Sequence, residues 1–190
     1  PEEYGGLGLT MEEEIEVAIS LGKTSPAFRS IMGTNNGIGS AAIVFNGTEE
    51  QKKKYLPKYA SGEWISCFCL TEPEAGSDAA ALKTTAVRDG DCYIINGTKR
   101  YITNAKVANT FNVMARTNPS IKGARGISSF IVEKDFKGIT LGSVDKKMGQ
   151  AGSMTCDVIF EDCRVPAKNI VGAEGEGFIT AMKVLDRGRL

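Results

Sequence analysis

Histidine does not occur in this sequence of 190 residues. Its absence excludes Ser-His-Asp and Cys-His catalysis within the chain and removes the commonest zinc ligand. The five cysteines contain no Cys-x-x-Cys pair, which is a frequent spacing of zinc sites and redox pairs. Five is also an odd number, which disfavours a framework of paired disulfides. We therefore expect no metal site, and a reducing compartment in preference to secretion.

An excess of charge of either sign is also lacking. Lysine plus arginine and aspartate plus glutamate number 23 each, so the net charge at pH 7 is zero. Nucleic-acid binders normally carry a basic excess or a basic stripe, and we expect no nucleic-acid partner. No apolar run approaches the roughly 18 residues that a membrane-spanning helix needs, so we expect no membrane span. The composition, 42% apolar and 24% charged, is typical of a globular domain.

Three regions of the chain differ in their sequence pattern. In the first, residues 1–62, Thr10 followed by Glu13 and Thr48 followed by Gln51 are capping-box patterns, each ahead of a helical repeat. We expect this region to be part of an N-terminal helical domain.

One glycine-rich segment of this first region imitates a nucleotide-binding motif. Residues 37–42 match G-x-G-x-x-A, the dinucleotide fingerprint. That fingerprint needs a strand before it, within a βαβ unit. Because the surrounding pattern is helical, we predict no Rossmann site here.

Residues 63–170 form the second region, where the pattern changes to that of short strands. We predict strands at residues 64–70, 83–88, 92–95, 99–103, 110–116, 126–133, 139–143 and 155–161. Asp89-Gly90 and Asn96-Gly97 are residue pairs typical of tight hairpin turns, and we expect a hairpin at each. Strands of this number and spacing favour an antiparallel barrel or sandwich over βαβ units.

The third region, residues 171–190, begins with a glycine-rich connector and continues as an amphipathic helix from Phe178. We expect the first helix of a helical bundle, which makes the whole an α+β fold of helices, a β-domain and a further helix. The chain begins without methionine and ends inside a helical pattern. We interpret it as a fragment of a longer protein.

The segment 68–78, Phe-Cys-Leu-Thr-Glu-Pro-Glu-Ala-Gly-Ser-Asp, is the most informative of the sequence. A strand runs into Thr71, Pro73 and Gly76 force a turn, and Ser77 and Asp78 offer caps. This arrangement presents a hydroxyl and free backbone N–H groups at a strand end, which suits the polar edge of a heterocycle or a phosphate. An ordinary capped loop explains the same residues.

Four stretches together resemble the acyl-CoA dehydrogenase family. Leu-Thr-Glu-Pro-x-Ala-Gly-Ser-Asp at 70–78 is similar to the family signature, and residues 1–9 resemble a loop of its N-terminal helical domain. Residues 95–104 resemble its flavin-contacting hairpin, and residues 147–149 with 160–166 resemble the closing strands of its β-domain. The order of the four matches is that of the family.

The resemblance implies a flavoprotein oxidoreductase of fatty acid β-oxidation. FAD would lie between the β-domain and the C-terminal helices. A proton would leave the α-carbon of an acyl-CoA thioester and a hydride its β-carbon, which gives a trans-2-enoyl-CoA. The cofactor supplies the redox chemistry, and the protein supplies position and electrostatics.

Site residues follow from the same resemblance, position by position. The residues expected to bind the cofactor are Phe68, Leu70, Thr71, Gly76, Ser77, Tyr101, Ile102 and Thr103. The residues expected on the substrate side are Ser77, Asp186 and Arg189. Many relatives have tryptophan where this chain has Tyr101, and a tyrosine can still stack on the ring. The alternative for Tyr101 is a strand aromatic packed into the core.

No catalytic residue is expected within the chain. A minority branch of the family places its catalytic glutamate where this sequence has Gly188, and glycine cannot abstract a proton. The family gives neither Glu72 nor Asp78 that role. We expect the base to be a glutamate of C-terminal helices outside this sequence, and the chain alone to be inactive and to bind FAD weakly.

The resemblance further implies a homotetramer that passes electrons to an electron-transferring flavoprotein, in the bacterial cytoplasm or the mitochondrial matrix. Three alternatives stay open: an acyl-CoA oxidase, a flavin monooxygenase on the same fold, and a non-catalytic scaffold. The three hydroxyls of Thr71, Ser77 and Thr103 count against a scaffold, which gains nothing from them. The sequence does not indicate which acyl chains are preferred.

Overall fold

The computed structural model describes residues 1–121 and 123–188, except for the side chain of Arg187. Its helices are α1 (Met11–Thr24), α2 (Pro26–Gly33), α3 (Ala41–Asn46), α4 (Glu49–Ser61) and α5 (Gly177–Arg187), with a π-helical segment at Thr34–Ile38. Its strands are β1 (Ser66–Cys69), β2 (Thr85–Asp89), β3 (Cys92–Thr103), β4 (Thr110–Arg116), β5 (Ile127–Glu133), β6 (Ile139–Leu141), β7 (Thr155–Pro166) and β8 (Ile170–Val171). Helices, then a sheet, then a helix confirm the expected α+β class.

Both predicted capping boxes start helices. The Thr10 hydroxyl accepts from the Glu13 N–H at 3.3 Å, and the Glu13 carboxylate accepts from the Thr10 N–H at 2.8 Å. The Thr48 and Gln51 pair repeats the exchange at 3.2 and 3.0 Å at the start of α4. These bonds satisfy N–H groups that a helix start leaves without partners.

The segment that imitates the dinucleotide fingerprint is helical, as predicted. Residues 37–42 begin in the π-helical segment that follows α2 and end in α3. Gly37 departs from helical geometry, with φ −97° and ψ −105°. No strand precedes these residues in the described chain, so the context of a Rossmann site is missing.

The sheet is mixed and open, which corrects the antiparallel and barrel expectations. Its strand order is β6-β7-β3-β2-β4-β5-β8, with β1 paired to β4. The pairs β1·β4 and β2·β4 are parallel, and the others are antiparallel. Parallel neighbours need a crossover connection, here the β2–β3 hairpin between β1 and β4. In the described residues β6 and β8 do not pair, so the barrel does not close. A sandwich is compatible with this arrangement.

The second predicted hairpin, at Asn96-Gly97, is wrong. Asp89-Gly90 does turn the chain between β2 and β3, with Gly90 at φ +61°. β3 instead continues through Asn96 and Gly97, where its pairing with β7 shifts register. Gly97 has φ +149°, and a Cβ there would clash with Thr84. Glycine is therefore needed here for a β-bulge and for the close approach of the chain to Thr84. Both are common reasons for glycine in a strand, as a tight turn is between strands.

Two buried cores lie on opposite faces of the sheet. One packs strand side chains together, among them Tyr93, Phe111, Phe130 and Phe160. The other joins the sheet to α3, α4 and α5 through residues such as Ile43, Tyr55, Met114, Ile131 and Val184. Helices α3, α4 and α5 thus cover one face of the sheet. None of the described helices is both long and apolar enough to cross a membrane.

Candidate functional site

A cleft of about 490 Å³ collects the predicted cofactor residues. It lies between one end of the sheet and the helical elements α5 and Thr34–Ile38. All eight of the predicted residues line it, namely Phe68, Leu70, Thr71, Gly76, Ser77, Tyr101, Ile102 and Thr103. Residues up to 35 positions apart in the sequence (Phe68 to Thr103) thus meet on one surface, and we call these eight residues the sheet wall.

Two chain segments build the sheet wall. The first leaves β1 and turns through residues 70–78, and the second is the end of β3 at residues 101–103. The Arg100 N–H donates to the Thr71 carbonyl at 2.8 Å, which ties the loop to the strand. Glu72 and Ala75 exchange backbone hydrogen bonds of 3.1 and 3.2 Å. These bonds give the loop a fixed shape before any ligand is present.

Tyr101 lies on a second β-bulge, where the β3·β7 pairing shifts between Lys99 and Ile102. Its φ is +58°, in the left-handed region that disfavours bulky side chains. This conformation costs about 1–2 kcal/mol. The ring is 63% exposed and points away from the core, so the alternative of a core aromatic is wrong. A strained backbone thus presents an aromatic ring to the cleft.

Three hydroxyls of the sheet wall are free to bind. The side chains of Thr71, Ser77 and Thr103 line the cleft and make no hydrogen bond within the described chain. The backbone N–H groups of Gly76 and Ser77 also have no partner there. The wall therefore offers unpaired donors and acceptors beside an exposed ring.

The backbone conformation and packing of the chain do not require glycine at position 76. Its φ is not positive, and a Cβ built on it meets no other atom within 4 Å. Glycine is nevertheless the residue that allows the closest approach of a ligand to backbone. Gly76 is one of the residues that line the cleft.

The opposite side of the cleft, the helical wall, is mostly apolar. It comprises Thr34, Ile38, Phe178, Met182 and Leu185. None of these residues was predicted as a site residue. The spacing of i, i+4 and i+7 on α5 is visible in the sequence as one helix face, but nothing local indicates what that face contacts. The π-helical segment is a further signal, since such segments occur often at functional sites.

Beneath the sheet wall, Lys99 and Glu72 form an ion pair that sequence reasoning also missed. The Lys99 ammonium donates to the Glu72 carboxylate at 2.7 Å and to the Leu70 carbonyl at 3.2 Å. Burial lowers the pKa of Lys99, an effect that the Glu72 charge partly offsets. Burial alone would raise the pKa of Glu72, but the Lys99 charge and hydrogen bonds outweigh it and lower that pKa. The 2.7 Å separation and the burial of both side chains are the geometry of a buried ion pair.

Of the predicted substrate residues outside the loop, the one that the structure describes is not brought to the cleft. Asp186 is exposed on α5 and is not among the residues that line it, and Arg189 lies outside the described residues. A Cβ on Gly188 would lie 3.2 Å from Ile38 Cγ2, on the helical wall. Among the described residues, no three His, Cys, Asp or Glu side chains form a group that could hold a metal.

Comparison with known proteins matches two family models. The model described as acyl-CoA dehydrogenase, N-terminal domain, matches residues 1–63, and the model described as acyl-CoA dehydrogenase, middle domain, matches residues 67–163. The short-chain specific acyl-CoA dehydrogenase of Clostridium acetobutylicum is 46% identical over 99% of this chain and 49% of its own length. Bacterial and mitochondrial proteins are both among the relatives.

Solved structures match over the whole chain. A chain of the electron transferring flavoprotein structure from Acidaminococcus fermentans has 48% identity and a TM-score of 0.96, with 50% of that chain covered. The acyl-CoA dehydrogenase of Bacillus anthracis complexed with FAD has 44% identity and a TM-score of 0.89, with 32% of that chain covered. The present chain spans about half the length of the first of these and of the curated relative above.

Proposed function

Because this chain belongs to the acyl-CoA dehydrogenase family, we propose that its cleft holds FAD and an acyl-CoA thioester in an enzyme that forms trans-2-enoyl-CoA. The substrate would lose a proton from the α-carbon and a hydride from the β-carbon. When bound, FAD supplies the hydride acceptor. The chain described here supplies one side of that site.

The observation that carries this proposal is the composition of the sheet wall. Unpaired hydroxyls, unpaired N–H groups and an exposed aromatic ring share one surface. Gly76 leaves open a space that any other residue would begin to fill. A flat heterocycle with a polar edge and an attached diphosphate needs those groups. The residues present therefore fit FAD.

Each group of the sheet wall has a proposed task. Thr71, through its hydroxyl and backbone, would hydrogen-bond the polar edge of the ring, and such hydrogen bonds stabilise negative charge as it develops there. Tyr101 and Thr103 would cover one face of the ring. Ser77 would contact the pantetheine arm of the substrate. The apolar helical wall would accept the acyl chain and exclude water from it.

The proton of the α-carbon needs a base that this chain does not offer. Of the described carboxylates, only that of Asp78 lines the cleft, and the family gives it no such role. Glu72 is already held by Lys99 and two backbone N–H groups. The proposal therefore assigns proton abstraction to a glutamate outside the described residues.

The partners follow from the family in the same way. The proposal includes electron transfer to an electron-transferring flavoprotein and assembly into a homotetramer, in the bacterial cytoplasm or the mitochondrial matrix. The name of one matching structure, an electron transferring flavoprotein, supports a flavin electron partner. Gel filtration with light scattering would test the tetramer.

The deciding experiment is an anaerobic titration of the full-length protein with acyl-CoA thioesters, followed by flavin absorption. Bleaching of the oxidised flavin bands by a saturated thioester would support the dehydrogenase half-reaction. Oxygen consumption without an added acceptor would indicate an oxidase instead. A bound flavin whose absorption no thioester changes would favour a monooxygenase. A protein that binds no flavin would favour the non-catalytic scaffold.

A further inference from the structure

Lys99 and Glu72 form the one ion pair of the described residues in which both side chains are buried. Lys99 is 0% exposed and Glu72 is 6% exposed. Removing two charges from water costs several kcal/mol per ion, and well-packed apolar residues are often as stable as such a pair. A gain in stability is therefore a weak reason for its presence. The hydrogen bonds of the pair point to another reason.

The pair joins three segments of the chain. The Lys99 ammonium binds the Leu70 carbonyl at the end of β1 as well as the Glu72 carboxylate. That carboxylate accepts from the Lys83 N–H at 2.6 Å and from the Thr84 N–H at 3.0 Å. Both ends of the loop 72–84 are thus fixed to one lysine of β3.

Two groups of the sheet wall are close in sequence to the residues that Lys99 and Glu72 bind. Leu70, whose carbonyl Lys99 binds, immediately precedes Thr71 in the cleft. The bulge of Tyr101 begins at Lys99 itself. Charge-assisted hydrogen bonds are short and directional, so the position of one ammonium sets the separation of the loop and the bulge.

We propose that Lys99 and Glu72 are positioning residues that hold the Thr71 hydroxyl and the Tyr101 ring in the relative placement needed to contact one flavin. This inference rests on the proposed function, because it concerns the same cleft. Neither residue touches the cleft, and neither takes part in the reaction. Their task is to orient the groups that do.

A purely structural pair and a positioning pair respond differently to apolar replacement. The double substitution Lys99→Met with Glu72→Met removes both charges and nearly keeps the volume, so it should be more stable than Glu72→Met alone, which leaves the Lys99 ammonium buried without its partner. Methionine cannot bind the Leu70 carbonyl or the N–H groups of Lys83 and Thr84. The placement of the loop should therefore be lost in the double variant although the unpaired buried charge is gone.

The test uses the full-length protein and compares this double variant with Asp89→Asn. Asp89 pairs with Arg164 at the surface, both more than half exposed, and serves as the control. We expect the double variant to unfold at a higher temperature than Glu72→Met, while its FAD dissociation constant still exceeds the natural value at least about tenfold and the bound flavin spectrum shifts. Natural affinity and spectrum in a folded double variant would overturn the proposal.

Amide hydrogen exchange of the flavin-free protein separates this proposal from the proposed function. The Arg100, Lys83 and Thr84 amides should exchange faster in the double variant, and those of β5 should not. If the natural protein takes up no flavin, the proposed function fails while exchange still reports the positioning. Should the double variant not fold, Glu72→Gln takes its place: unchanged exchange and FAD affinity would then contradict the proposal.

Discussion

The two walls of the cleft are built on different physical principles. The sheet wall uses directional bonds, a strained tyrosine and a glycine with open space beside it. The helical wall uses apolar side chains of α5 and the π-helical segment. Directional bonds lose strength with small changes in angle, whereas apolar contact depends mainly on buried area. Ligand affinity should therefore be more sensitive to substitutions in the sheet wall than to substitutions in the helical wall.

The largest expected contrast is in the free energy of unfolding. Glu72→Met leaves the Lys99 ammonium buried and takes the acceptor from two N–H groups, so we expect a loss of about 3–5 kcal/mol. Leu185→Ala removes a partly buried side chain of the helical wall, and we expect a loss of about 1–2 kcal/mol. Urea denaturation of the full-length protein measures both. Equal losses would remove the distinction between the ion pair beneath the sheet wall and the apolar contacts of the helical wall.

Gly76→Ala separates ligand binding from folding. The added methyl meets no atom of the chain, so the free energy of unfolding should stay the same or rise slightly. It would occupy space that the proposed ligand needs, and we expect FAD affinity to fall about tenfold to a hundredfold. Fluorescence titration of the flavin-free protein measures this affinity.

Gly149→Ala is the matched control for that substitution. Gly149 also has open space and no positive φ, and it does not line the cleft. Its replacement should leave both stability and FAD affinity unchanged. If both alanine variants bind FAD as the natural protein does, Gly76 has no part in the site.

A smaller effect is expected from acid. The folded-state pKa of Glu72 is lowered, so its contribution to stability is complete above the ordinary glutamate pKa near 4.5 and is lost as pH falls through the lowered value. We expect Glu72→Gln to reduce the loss of unfolding free energy between neutral and acidic pH by about 1–2 kcal/mol. Thermal unfolding between pH 3 and 7 (roughly the span from below to above the ordinary value) tests it. If the variant loses as much stability in acid as the natural protein does, other carboxylates cause that loss.

The two walls also differ in how much the sequence reveals. The residues predicted to bind the cofactor fall in two short motifs, around Thr71 and around Tyr101, and the structure brings them to one cleft. The helical wall was missed, although its face on α5 is visible, because the surface it meets is set by contacts distant in sequence. Lys99 was missed for the same reason, since its partner lies 27 residues away and a lone lysine in a strand pattern is typical of a surface.

The fold shows the same division. Capping boxes and the Asp89-Gly90 turn are local, and the structure confirms them. The parallel pairing of β1 with β4 depends on a crossover, which strand spacing does not reveal. Asn96-Gly97 was ambiguous because a turn and a bulge both require glycine.

The smallest expected effect concerns Tyr101, where stability and binding should change in opposite directions. Asparagine tolerates a positive φ better than tyrosine does, so Tyr101→Asn should raise the free energy of unfolding by about 0.5–1 kcal/mol. It also removes the exposed ring, so FAD affinity should fall. Val87→Asn is the control, because Val87 is 62% exposed on β2 with ordinary backbone geometry, and a strand disfavours asparagine. If Tyr101→Asn lowers the free energy of unfolding as much as Val87→Asn does, the positive φ of Tyr101 stores no strain. The sheet wall would then present its aromatic ring without a loss of stability.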